Sequence, residues 1–123
     1  MKYVLVVFFG GGLGSVARYL LGKWLNNSET VIPYGTMLSN VLGSLVIGLV
    51  LGYVAKSTHI TTSQTLLLAT GFCGGFTTFS AFAYENHVFL KNGDYLTFFS
   101  YTFGTLVVGF MAVFAGLYLS KWI

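Results

Sequence analysis

Thr70-Gly71-Phe72-Cys73-Gly74-Gly75-Phe76-Thr77-Thr78-Phe79-Ser80-Ala81-Phe82 lies inside a hydrophobic run, and its reading decides the fold. The stretch holds three glycines, the pair Thr77-Thr78, a serine and four phenylalanines. A plain membrane helix has no need of three glycines beside a Thr-Thr-x-Ser cluster. A soluble core helix has no need of so many phenylalanines among backbone-loosening residues. The stretch reads as a broken transmembrane segment lining something. Glycines weaken the helix between Gly74 and Thr78, and threonine hydroxyls offer the backbone alternative hydrogen bonds. Unwound backbone at membrane depth survives only when buried in protein or lining an aqueous path.

The rest of the chain fits a membrane. Of 123 residues, 55% are hydrophobic, 18% aromatic and 7% charged. A soluble domain carries about a quarter charged residues, so these charges would not clothe a soluble surface. The net charge of +3 is spread out, and without a basic run nucleic acid is not an expected partner. Cys73 is the only cysteine, which excludes an intrachain disulfide and a Cys-based metal site. It reads as a small apolar residue in a packed helix. Only three acids are present, and no Ser/His/Asp set is evident. His59 and His87 are single and far apart in sequence, and neither reads as a metal ligand. No enzyme chemistry finds a footing.

A bilayer span needs about 20 mostly apolar residues. Four segments qualify, at about residues 3–25, 34–55, 65–90 and 95–122, the third being the interrupted one. The first lacks a small-residue cleavage site and reads as a retained helix, not a cleaved signal. Short polar stretches separate the spans: Asn26-Asn27-Ser28-Glu29-Thr30, Lys56-Ser57-Thr58-His59 and Lys91-Asn92-Gly93-Asp94. Residues 1–123 thus form one four-span, all-α domain.

An even number of spans puts both termini on one side. Lys2, Lys56 and Lys121 fall on that side; Lys23, Lys91 and, within or near the first span, Arg18 fall on the other. The positive-inside rule acts on an asymmetry of Lys and Arg, and here there is almost none. The balance favours insertion in both orientations and pairing with an inverted copy. Orientation fixed by other factors stays open. Small residues recur every four positions: Gly10 and Gly14; Ser44, Gly48 and Gly52; Gly71 and Gly75; Ala112, Gly116 and Ser120. Such rows let backbones approach closely in lipid. Helices packed so tightly leave little room for an internal pore, so a conduction path fits better with a second subunit. The run Gly12-Leu13-Gly14-Ser15-Val16-Ala17 formally matches a dinucleotide fingerprint, but that motif needs a βαβ unit. Helix packing explains its glycines better.

Several residues carry candidate chemistry. Arg18 is the charge well inside the first apolar run, costly at membrane depth; it either snorkels to the interface or makes an electropositive mouth for anions. Asn40 lies in the second span, where an amide must find a partner. It either bonds another helix or donates its NH₂ to a dehydrated anion. Freed carbonyls suit a hard cation and freed N–H groups an anion, so the broken helix alone does not say which ion is bound. Ring edges carry partial positive charge, and Phe79 and Phe82, three apart, share a helix face. Glu85 is one turn further on. Tyr101 and Thr105 would add hydroxyls from the fourth span.

These residues bring a family into view. Gly71 to Phe82 resembles the third-helix signature of the Fluc (CrcB) fluoride channels. The match extends to Gly11-Gly12-Leu13-Gly14-Ser15-Val16-Ala17-Arg18-Tyr19 and to Gly35-Thr36 with Asn40 and Gly43. The resemblance covers essentially the whole chain, with the fourth span the weakest part. It implies an antiparallel, dual-topology homodimer in the inner cell membrane, multi-pass, with two fluoride pores and a central structural Na⁺ that is not transported. It implies that the carbonyls of Gly74 and Thr77 from both subunits hold the Na⁺. Phe79, Phe82 and Asn40 would match pore residues, and Ser80 a polar residue beside the phenylalanines. Tyr101 and Thr105 would match the hydroxyl stripe of the fourth span, and Arg18 and Glu85 would lie at the vestibules. Ala81 stands where the family often has threonine, and Gly109 where it often has serine. The function implied is passive, fluoride-specific export from the cytoplasm, with fluoride, lipid and a second copy as partners. A proton- or cation-coupled transporter of dual topology and an assembly subunit without a path are the rivals.

Overall fold

The structure is a computed structural model that describes residues 1–26 and 31–123. The polar stretch at residues 27–30, with Glu29, lies outside the described residues. Helix α1 is Lys2–Leu25 and α2 is Tyr34–Lys56. The third span opens with α3, Thr62–Thr65, continues as a π-helix over Leu66–Cys73 and closes its first half with α4, Gly74–Phe76. After a two-residue gap come α5, Phe79–Lys91, and α6, Tyr95–Leu119, which ends in a 3₁₀ turn at Ser120–Trp122. Among the described residues four helices are long and apolar enough to cross a membrane, the third running Thr62–Lys91 across its break. No strand occurs among the described residues.

Local chemistry sets these boundaries. Thr61 and Gln64 form a capping box at the start of the third span: Gln64 N–H donates to Thr61 Oγ1 at 3.1 Å, and Thr61 N–H to Gln64 Oε1 at 2.9 Å. This satisfies two donors that a helix start leaves free. Gly93 adopts φ 73°, the left-handed conformation that suits glycine in a tight turn. Asp94 then caps α6 by accepting from Thr97 N–H at 3.3 Å.

The small-residue rows sort the helices into two pairs. On α1, a Cβ at Gly10 would come within 3.1 Å of Gly71 Cα, and one at Gly14 within 2.8 Å of Phe76 N. So α1 lies against the first half of the third span. On α2, a Cβ at Gly48 would come within 3.1 Å of Gly116 Cα, and one at Gly116 within 2.8 Å of Leu49 N. So α2 lies against α6. Backbone contact of this kind gains dispersion over many atoms, which is what holds helices together where lipid removes the hydrophobic drive. The second half of the third span folds back on α6 through a small aromatic core of Phe82, Phe89 and Tyr101. Large apolar side chains elsewhere face outward, among them Phe8, Leu13, Phe103 and Phe114. That surface is made for hydrocarbon or for another apolar protein face.

The break is narrower than the glycines suggest. Gly74 and Gly75 remain helical, and only Thr77 (φ −86°, ψ 155°) and Thr78 (φ −150°, ψ 114°) are extended. Gly75 packs on the Gly11 carbonyl of α1, so its missing side chain serves close approach and not unwinding. The opening comes from the threonines. Thr78 accepts from Ala81 N–H at 3.1 Å and thereby starts a new helix.

Candidate functional site

The break is held from two sides. From α2, Asn40 Oδ1 accepts the Thr78 N–H at 2.7 Å and its Nδ2 donates to the Thr78 carbonyl at 3.2 Å. From α1, Arg18 Nε donates to the Gly75 carbonyl at 3.1 Å. Gly43, one turn along α2 from Asn40, leaves the space that the Thr77 methyl fills.

This wiring leaves carbonyls at the break without their helical donors, those of Gly74 and Thr77 among them. In an unbroken α-helix the Gly74 carbonyl would accept from Thr78 N–H and the Thr77 carbonyl from Ala81 N–H. Here the first donor goes to Asn40 and the second to Thr78 Oγ1. Gly74 is exposed, and a Cβ there would meet nothing within 4 Å. Among the described residues there is no group of three or more His, Cys, Asp or Glu that would hold a metal.

A groove of about 440 Å³ runs beside the break between α2, the third span and α6. Asn40, Gly74, Thr77, Phe79, Phe82 and Thr105 all line it. Among the described residues no charged side chain is in its wall. Asn40 spends one of its two amide N–H groups on Thr78, which leaves the other for the groove. Thr105 is buried, and its Oγ1 has no partner among the described residues. The Phe79 and Phe82 rings lie 6.2 Å apart at 49°. Phe82 is 8% exposed and Phe79 is 79% exposed, so one ring is fixed in the core and the other projects from the chain.

Four further residues singled out in the sequence lie outside the lining. Ser80 is exposed, its Oγ 3.3 Å from Thr78 Oγ1. Arg18 sits on the Gly75 carbonyl. Tyr101 is 1% exposed, and its hydroxyl donates to Glu85 Oε1 at 2.7 Å. Glu85 is half-buried, and its Oε2 accepts from Thr36 Oγ1 at 2.6 Å. Tyr101 thus spends its proton on a carboxylate instead of on the groove. Thr36 is a residue to which sequence reasoning gave no role; a threonine in the first turn of a membrane helix was the available signal. Ser44 was noted only as a small residue. It lines the groove across from Gly109, where a Cβ would come 3.9 Å from Ser44 Oγ. A hydroxyl therefore stands near the place that Gly109 leaves bare, its proton donated to the Asn40 carbonyl at 2.7 Å.

Comparison with known proteins gives a consistent answer. The family described as CrcB-like protein, Camphor Resistance (CrcB), matches residues 5–117. The fluoride-specific ion channel FluC of Gloeothece citriformis is 51% identical over 122 residues, covering 98% of this chain and 98% of that one. The fluoride-specific ion channel FluC of Phocaeicola vulgatus is 43% identical over 122 residues, covering 98% and 100%. That of Chlorobium chlorochromatii is 41% identical over 120 residues, covering 98% and 93%.

Proposed function

The chain belongs to the CrcB family, and from that premise we propose that it is a fluoride-specific channel through which F⁻ leaves the cytoplasm passively. The observation that carries this reading is the groove: a wall with no charged side chain among the described residues, which brings the Asn40 amide, the Thr105 hydroxyl and the rings of Phe79 and Phe82 together. A dehydrated anion needs donors that replace water without trapping it. Several weak donors in series meet that need better than one full charge, because exit must be as easy as entrance. Ring edges add partial positive charge at no cost in mobile side chains.

One chain supplies only part of such a path. Phe79 projects with little of its own chain around it, and the groove opens to the side. We infer that an inverted second copy closes it, giving an antiparallel homodimer in the inner membrane. The freed carbonyls of Gly74 and Thr77 support a central Na⁺. Two oxygens are too few for a hard cation, and two copies would present four. Bound there, Na⁺ would lend positive charge that joins the two breaks; it is not carried across. Arg18 fixes the neighbouring carbonyl, and Glu85 is held by Thr36 and Tyr101 outside the groove wall.

The test is ion efflux from liposomes containing the purified chain. Rapid F⁻ loss without Cl⁻ loss and without a pH gradient is the expected outcome. Efflux that requires a pH gradient would mean coupled transport instead. No efflux at any protein density would mean an assembly role.

A further inference from the structure

Two walls of the groove beside the break run in matching register. By helix direction, α1 starts and α2 and α6 end at one face of the bundle, so α2 and α6 run parallel. A Cβ at Gly109 would come 3.9 Å from Ser44 Oγ, which sets Ser44 level with Gly109. One turn back on each helix, Asn40 stands level with Thr105. All four residues line the groove. The first level thus has a polar side chain on each wall. The second has one only, because Gly109 bears no side chain. One turn further along these two helices the lining residues are Ile47 and Val113. Among the described residues, Ser44 is therefore the last hydroxyl that α2 and α6 offer the groove.

The Ser44 proton is free to turn. It is donated to the Asn40 carbonyl at 2.7 Å, yet in an α-helix that carbonyl also receives the Ser44 N–H. A serine bond back to its own helix slightly weakens that helix, so releasing it costs little. A hydroxyl rotates to suit its acceptor. Ser39 provides the contrast. Its Oγ donates to the Gly35 carbonyl at 2.8 Å in the same way, but it is 0% exposed and does not line the groove. Asn40 and Ser44 stand about 6 Å apart along α2, at 1.5 Å per residue. Two neutral donors at that spacing pass an anion onward without holding it by a full charge.

We propose that Ser44 binds the permeating anion, turning its proton from the Asn40 carbonyl into the groove opposite Gly109. The inference rests on the channel reading and deepens it: α2 donates at two successive levels, through Asn40 and then Ser44, while α6 donates at one, through Thr105.

Efflux of F⁻ from liposomes containing the full chain tests it. Ser44→Ala is expected to slow efflux about tenfold, the worth of one hydrogen bond to an anion. Elution on size exclusion should not change, since alanine is the better helix former. Ser39→Ala loses the same kind of helix bond away from the groove and should conduct at the parent rate. Gly109→Ser added to Ser44→Ala sets a hydroxyl on the opposite wall at the same level, where the 3.9 Å clearance admits a side chain; it should recover most of the loss. Parent-rate efflux from Ser44→Ala overturns the inference and leaves the channel reading in place. An equal loss in Ser39→Ala also overturns it, by assigning the effect to the helix bond. So does a folded double variant that stays slow, since a hydroxyl in the groove would then not be what is missing. A parent chain that releases no F⁻ overturns the channel reading, and this inference with it. If Gly109→Ser prevents folding, Ser44→Ala set against Ser39→Ala decides alone.

Discussion

Phe79 and Phe82 differ in what surrounds them, and the difference separates two effects of substitution. Phe82 is buried against Tyr101, ring centroids 5.2 Å apart, while Phe79 stands free of its own chain. Phe82→Ile removes a ring edge from the groove and also loosens the aromatic core. Phe79→Ile removes an edge with little cost to the fold of the chain. An edge contact worth ~1 kcal/mol corresponds to roughly five- to tenfold in rate. Fluoride efflux from liposomes should therefore fall by about that factor or more in each variant, with elution on size exclusion unchanged. Normal efflux from Phe82→Ile would count against the ring-edge mechanism. Asn40 separates binding from scaffolding in the same way. Asn40→Asp keeps an acceptor for the Thr78 N–H but loses the NH₂ and sets a negative charge in the groove wall. The chain should fold and efflux should vanish. Retained efflux would make Asn40 a splint for the break and nothing more.

The elements around the break rest on capping and on close approach. Thr78 supplies the cap of α5 through Ala81 N–H. Thr78→Ala should destabilise the protein by about 1 kcal/mol, and Thr78→Ser should restore most of it; thermal unfolding in detergent reads both. Gly116 is a tight point between α2 and α6, where an added Cβ meets backbone of Leu45, Gly48 and Leu49. Backbone has nowhere to retreat, so Gly116→Val should abolish folded protein, whereas Gly104→Ala, with nothing within 4 Å, should leave the monomer fold intact. This is also the scale at which the sequence speaks most clearly. Span number follows from apolar runs, and close packing from small residues four apart; because all four spans carry such a row, the pairing of α1 with the third span and of α2 with α6 shows only in the folded contacts. The π-helix at Leu66–Cys73 was not legible, because a shift from i+4 to i+5 bonding changes backbone register and leaves no mark in side-chain type. The place of the break was only half legible: Gly74-Gly75 and Thr77-Thr78 both loosen a helix, and close packing on α1 holds the glycines helical. The Thr36–Glu85–Tyr101 contact joins residues up to 49 positions apart, and no local pattern announces it. Asn40 had two open readings, and its bonds to Thr78 make it a helix-to-helix tie while leaving one N–H for the groove.

At the scale of the whole molecule, the balance of basic residues becomes a prediction about assembly. Lys2, Lys56 and Lys121 stand at the face with the termini; Arg18, Lys23 and Lys91 lie toward the other. Orientation is set by excess Lys and Arg on one side, so a few added charges should fix it. Ser57→Arg/Thr58→Arg loads the terminal face, and Asn92→Arg/Tyr95→Arg loads the opposite one. None of the four positions lines the ion groove. If the working unit needs two copies of opposite orientation, each variant expressed alone holds every chain the same way round and leaves Phe79 and the freed carbonyls without an inverted partner. Efflux should then be lost from membrane vesicles containing either variant alone and regained when the two are made in the same cells. A protein that works as a parallel pair or as a single chain gives another pattern: each variant stays active by itself, and co-expression adds nothing beyond the sum. Protease access to the loop after α2, measured in the same vesicles, shows whether the charges did fix the orientation, so inactivity from misfolding is told apart from inactivity for want of an inverted partner.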